Sequence, residues 1–202
     1  MKVLLFGDSI TAYLPKDVLH VDWFYNLNKN IEQGKDNYTF YKCGTENYPT
    51  EWLRDYVFPN LDKSIYDAIV LQCGINDFFM PYQVDDYPAK TPEETYKSII
   101  DFARMIKDVT GVKVALQSLY PAERGLVAVE DLKYINNELA KACKVSDIEF
   151  LDMYDLLASK SGGYKKGLSD DGLHPSREGY KLVASKLSQI FAEEKPKEPN
   201  FN

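Results

Sequence analysis

Five short apolar runs punctuate the chain, at residues 2–6, 38–41, 68–71, 112–116 and 148–151, and helix-period segments fill the gaps between them. This alternation constrains the fold more than any other feature. Strands joined through helices pair in parallel, and a parallel sheet carries helices over both faces. The runs are nearly continuous in apolar residues, as strands buried on both sides are. Trp23, Leu27 and Ile31 mark a first helix by their spacing. Ile99, Phe102, Ala103, Ile106 and Val109 mark a longer one. It opens on Thr91, Pro92 and Glu94, a capping-box start, and stops at Gly111. Leu132, Ile135, Leu139 and Ala142 mark another, and Tyr180, Val183, Ala184, Leu187 and Phe191 the last. Residues 50–61 read as a short helical segment broken by Pro59. The pattern predicts one α/β domain over residues 1–192, with a frayed tail at 193–202.

Lys and Arg number 24 against 31 Asp and Glu, a net charge of −7. Phosphates would repel such a chain, so nucleic acid and an anionic membrane surface are poor partners. No run of 18 apolar residues is present to span a bilayer, and residues 3–6 are too short for a signal-peptide core. A cytoplasmic protein is the expectation. Cys43, Cys73 and Cys143 are odd in number and lack metal-ligand spacing, so free thiols are expected. No metal and no cofactor is implied.

In a parallel sheet, ligands bind beyond the carboxyl ends of the strands. The polar residues just after each run are therefore the ones to inspect. Gly7-Asp8-Ser9 follows the first run, Gly44 the second, and Gly74-Ile75-Asn76-Asp77 the third. Asp171-Gly172-Leu173-His174 lies in a loop after the fifth. Together they are the parts for acyl transfer through a serine. His174 can take the Ser9 proton near neutral pH. Asp171, three residues earlier, can hold the imidazole Nδ1–H; Asp170 is the rival acid. The Ser9 and Gly44 amides and the Asn76 carboxamide can form the oxyanion hole. Asp8 and Asp77 read as structural, bonding loop amides. Taken alone, Ser9 could equally be a helix N-cap or part of a phosphate-binding turn. His20, the second histidine, has no acid at useful spacing.

With these residues in order, the chain resembles the SGNH, or GDSL-type, hydrolase family. Gly7-Asp8-Ser9, Gly44, Gly74-Ile75-Asn76-Asp77 and Asp171-x-x-His174 resemble that family's four blocks, and the resemblance covers nearly the whole chain. It implies a flavodoxin-like three-layer sandwich whose five parallel strands are ordered 2-1-3-4-5. It also implies a serine ester hydrolase acting on small-molecule esters. No G-x-S-x-G elbow is present, which disfavours a lipase of the α/β-hydrolase type.

Tyr13, Tyr48, Phe78, Phe79, Tyr82 and Tyr120 fall just after strands and are candidate walls of the substrate pocket. Aromatic faces suit sugar rings, so O-acetylated carbohydrates are among the candidate substrates. Arylesterase, thioesterase, lysophospholipase and acyltransferase activities stay open, as does a homodimer. From another class, a non-catalytic flavodoxin-like anion-binding module is the rival reading.

Overall fold

The computed structural model describes residues 1–19, 21–23, 38–79, 87–88, 90–123, 125 and 127–192. Six strands form one parallel sheet: β1 (Lys2–Gly7), β2 (Val21–Trp23), β3 (Thr39–Gly44), β4 (Ala68–Gln72), β5 (Lys113–Gln117) and β6 (Glu149–Leu151). Their spatial order is β2-β3-β1-β4-β5-β6. Five of them are the expected strands in the expected order 2-1-3-4-5. The sixth, β2, adds to the edge beside β3 and corrects the first helix reading at Trp23, which pairs with Lys42 in extended conformation. Leu27 and Ile31, the rest of that reading, lie outside the described residues, as do His20, Tyr82 and the tail.

The helices are α1 (Ser9–Ala12), α2 (Lys16–Leu19), α3 (Thr50–Trp52), α4 (Asn76–Phe79), α5 (Pro92–Thr110), α6 (Val129–Ser146), α7 (Tyr154–Leu157) and α8 (Arg177–Ala192). Beyond α3 the chain keeps turning but changes pitch, with a π turn at Leu53–Val57 and a 3₁₀ turn at Phe58–Asn60 that accommodates Pro59. α5 begins with the expected capping box, Thr91 bonded to the Glu94 amide and Glu94 to that of Thr91. It ends where Gly111 takes a left-handed φ of 66°, which costs a glycine nothing.

Both faces of the sheet are covered. Phe6 of β1 meets Phe58 and Phe102 of α5 at ring distances of 6.2 and 5.9 Å on one face. On the other, Phe40 of β3 meets Phe191 of α8 at 5.6 Å. Burying such side chains contributes roughly 2–3 kcal/mol each against leaving them in water. Val3 to Phe6 are buried throughout, so β1 is the centre of the core. Among the described residues no helix is long and apolar enough to cross a membrane.

Candidate active site

The apolar strand β1 ends at Gly7, which is in register with Gly44 of β3 on one side and Gln72 of β4 on the other. Ser9, Gly44 and Asn76 therefore leave three adjacent strands at the same carboxyl edge. Asp8 is the N-cap of α1, its Oδ1 accepting the Ile10 amide at 3.0 Å. Ser9 is thus not the cap, and its hydroxyl is left for something else. The Ile10 amide, which a bound phosphate would need, is already used, and the Asp8 carboxyl sits where an anion would. This weighs against the anion-binding module.

Ser9 is 6% exposed, and its Oγ lies 2.9 Å from His174 Nε2. His174 Nδ1 in turn lies 2.8 Å from Asp171 Oδ2. Asp171, not Asp170, faces the ring. Its other oxygen accepts the Leu173 and His174 amides, both at 2.8 Å. Partial burial would raise the Asp171 acid, but the His174 ring and these two amides outweigh it and hold the carboxyl well below the usual range. An ionised carboxylate only accepts, so Nδ1 carries a proton, and in its neutral form the ring offers its Nε2 lone pair to Ser9. Ser9, His174 and Asp171 can thus pass a proton from a hydroxyl to an imidazole that an acid orients.

The loop bearing Asp171 and His174 has no regular secondary structure. Ser169 Oγ donates to the His174 carbonyl at 2.7 Å and accepts the Gly172 amide at 2.9 Å. Tyr164 donates its hydroxyl to the Leu173 carbonyl at 2.8 Å, and the Glu123 amide bonds the Gly172 carbonyl at 2.7 Å.

Asn76 opens α4 and is buried, its Nδ2 donating to the Tyr48 carbonyl at 3.0 Å. That bond uses one of two amide protons and leaves the second for another acceptor. Asp77 braces the same segment by accepting the Thr50 amide at 2.8 Å, and Lys90 reaches it at 3.4 Å. Burial raises the Asp77 acid, offset by Lys90 and Thr50. Gly44 packs against the end of α1: a Cβ there would lie 2.2 Å from the Ala12 nitrogen, too close for any other residue without moving the turn.

Two residues escape the sequence reading. Lys42, buried in β3, donates to the Ala12 and Leu14 carbonyls, both at 2.6 Å. The ammonium thus satisfies carbonyls that a one-turn helix leaves open at its end. Its signal was a lysine directly after the apolar run 38–41, which β3 extends to Gly44. Tyr180 of α8 donates to the Ile10 carbonyl at 2.8 Å, tying the same turn from beneath.

The candidate wall aromatics divide. Tyr13 is 44% exposed, its ring 4.8 Å from the His174 ring. Tyr48 is half-buried against Trp52, and Phe78 is half-buried on the core. The Phe79 backbone closes α4. Tyr120 is a correction: it is buried, its hydroxyl bonded to Gln117 Oε1 at 2.5 Å, and it lines a void of about 10 Å³ beneath Ile10. A buried tyrosine with a satisfied hydroxyl is core.

Among the described residues, no group of three His, Cys, Asp or Glu is placed to hold a metal ion. Cys73 and Cys143 are buried and Cys43 half-buried, and none is in a disulfide. Burial pushes the Cys43 and Cys143 thiols up to about 11, where they are poor nucleophiles at neutral pH.

A model of the GDSL-like lipase/acylhydrolase family matches residues 5–182. No curated protein matches the sequence. Among solved structures, a GDSL-like lipase from Bacteroides thetaiotaomicron is similar with a TM-score of 0.72 and 17% identity, over 94% of this chain and 87% of that one. An acetyl xylan esterase is similar with a TM-score of 0.69 and 17% identity, over 94% and 98%. The lipase/acylhydrolase from Enterococcus faecalis is similar with a TM-score of 0.66 and 21% identity, over 98% of each chain.

Proposed function

Since the chain belongs to the GDSL-like lipase/acylhydrolase family, we propose that it is a serine ester hydrolase acting on small acyl esters, O-acetylated carbohydrates among them. The observation that carries this reading is the unbroken chain of contacts from Ser9 Oγ to His174 and on to Asp171, at 2.9 and 2.8 Å.

In the reaction, Ser9 Oγ attacks the ester carbonyl while its proton passes to His174 Nε2. The new Oγ–C bond makes a tetrahedral oxyanion. The Ser9 and Gly44 amides and the second Asn76 amide proton receive that charge. The C–O bond to the alcohol then breaks, and His174 returns its proton to the alcohol oxygen. Water repeats the sequence on the acyl-Ser9, releasing the acid and restoring the hydroxyl. Asp171 holds the ring in one tautomer and stabilises the imidazolium, keeping its own charge throughout.

A fluorophosphonate probe tests the reading. Wild-type protein should be labelled at Ser9, and Ser9→Ala should lose both label and turnover, the latter by ~10⁴-fold or more. A folded Ser9→Ala protein that keeps a tenth of the activity removes Ser9 from the mechanism.

A further inference from the structure

To serve as an oxyanion donor, Asn76 needs more than a place at the strand edge: one of its two amide protons must point at the reacting oxygen. The other is held by the Tyr48 carbonyl at 3.0 Å, so the aim of the carboxamide depends on where the loop after β3 lies. Two residues along that loop, the Thr50 amide donates to Asp77 Oδ1 at 2.8 Å. Asn76 and Asp77 are neighbours in α4, so two bonds pin the Tyr48–Thr50 loop to the start of that helix.

Asp77 is a costly member of this clamp. It is fully buried, and burial disfavours its charge. With Oδ1 bonded to Thr50, its Oδ2 faces the Lys90 ammonium at 3.4 Å. Lys90 also reaches Glu51 Oε2 at 3.2 Å, and Glu51 follows Thr50 in α3. The ammonium therefore joins one carboxylate from each of the two segments that the clamp ties together. Its own place is set from both sides along the chain. Thr91, the next residue, is locked as the N-cap of α5 by the capping box. Three residues earlier, the Tyr87 ring stands edge-on to Trp52 of α3 at 6.0 Å. The Lys90 side chain is 13% exposed, so little water screens its charge.

We propose that Lys90 is a positioning residue for the oxyanion hole: by balancing Asp77 and Glu51 it keeps the Tyr48–Thr50 loop bonded to α4, and so keeps the second Asn76 amide proton aimed at the reacting oxygen. This rests on the serine-esterase reading above. Without the cation, the buried Asp77 carboxylate has two ways out. It takes up a proton, which weakens its hold on the Thr50 amide, or it moves toward water, which breaks that bond. Either frees the Tyr48 carbonyl to shift, and the Asn76 carboxamide turns with it. What is lost is a donor that matters most in the transition state, so the ester still binds.

The test is made on the full chain with nitrophenyl acetate, with turnover referred to the fraction folded in urea unfolding. Lys90→Met should lower kcat by ~10–100-fold, less than the ~10²–10³-fold that loss of a whole oxyanion donor costs, while KM changes far less. Lys90→Arg keeps the charge and should recover most of kcat. In an Asn76→Ala background the Lys90→Met substitution should cost about twofold or less, because the donor it aims is already gone. An equal cost with and without Asn76 overturns the proposal, and so does a Lys90→Met protein that loses stability but keeps its kcat. Lys90→Gln, equally uncharged, takes the same place in both comparisons if the Met variant does not fold. If wild-type protein forms no acyl-Ser9 with nitrophenyl acetate, by mass spectrometry, the esterase reading fails and takes the proposal with it.

Discussion

Ser9 sits on a turn fixed by burial. Asp8 caps it from one end, Lys42 bonds its carbonyls at the other, Tyr180 ties it from below, and Gly44 lies against it with no room for a side chain. The loop carrying Asp171 and His174 lies nearer the surface. It is held by polar bonds from Ser169, Tyr164 and Glu123, largely between side chains and backbone. The two regions meet at 2.9 Å across one hydrogen bond. Burial gives Ser9 a fixed place at the cost of coupling that place to the core. Polar tethering lets the His174 ring be oriented without such coupling. Damage to the loop should therefore cost activity alone, and damage to the turn should cost activity and stability together.

After loss of the Ser9 hydroxyl itself, the largest effect expected is from the loop. Asp171→Asn keeps the size of the side chain but loses control of the tautomer, and kcat should fall by up to ~10⁴-fold. Thermal melting should move little, because Asp171 is partly exposed. A melting point several degrees lower would show that the loop is coupled to the core after all.

Lys42→Met examines the other side. Two carbonyls lose a charged donor in a buried place, which should cost about 2–5 kcal/mol of stability. The Ser9 turn should loosen with it, lowering kcat by ~10–100-fold while KM changes less. Stability read from urea unfolding and turnover read on the folded fraction separate the two effects. Unchanged stability would mean that the turn is not held by this ammonium.

The smallest effect sharpens the contrast through pH. Burial raises the Asp8 acid to about 7, and the nearby Asp77 adds to the rise, partly offset by the Ile10 amide and Gln72. Asp8 Oδ2 has no hydrogen-bond partner. The native chain thus keeps a proton that the unfolded chain has lost, so this group erodes stability as pH climbs from the ordinary carboxylate range to about 7. Above that the loss levels off. Asp8→Asn has no such proton, so its stability relative to wild type should rise by roughly 2–4 kcal/mol between pH 4 and pH 8. Parallel unfolding curves across that range would show that Asp8 is not a buried acid. The loop offers no counterpart: the Asp171 acid is held low and stays ionised across the same range.

How much of this was legible in the sequence follows the same division. The five main strands announced themselves as apolar runs, and the start of α5 was readable because the Thr91–Glu94 box is entirely local. Asp171 and His174 were readable for the same reason, being three residues apart. Asp171 rather than Asp170 lies against the His174 ring, and the two amide bonds its carboxylate accepts could not be seen beforehand. Trp23 was misread because one aromatic residue followed by Leu27 and Ile31 has helical spacing whatever its backbone does, and a three-residue edge strand has no period to detect. Tyr120 was misread because wall and core aromatics follow strands alike; only Gln117, turned toward its hydroxyl, tells them apart. Lys42 was overlooked because its partners lie 28 and 30 residues away.

The outermost strands among the described residues, Val21–Trp23 and Glu149–Leu151, are three residues long. A strand of that length offers a newcomer only one or two main-chain hydrogen bonds, too few to repay the entropy of aligning a second chain. The sheet is in effect tapered at both margins. Growth by edge-to-edge addition, the route to fibrils and to continuous intermolecular sheets, is disfavoured along these two strands.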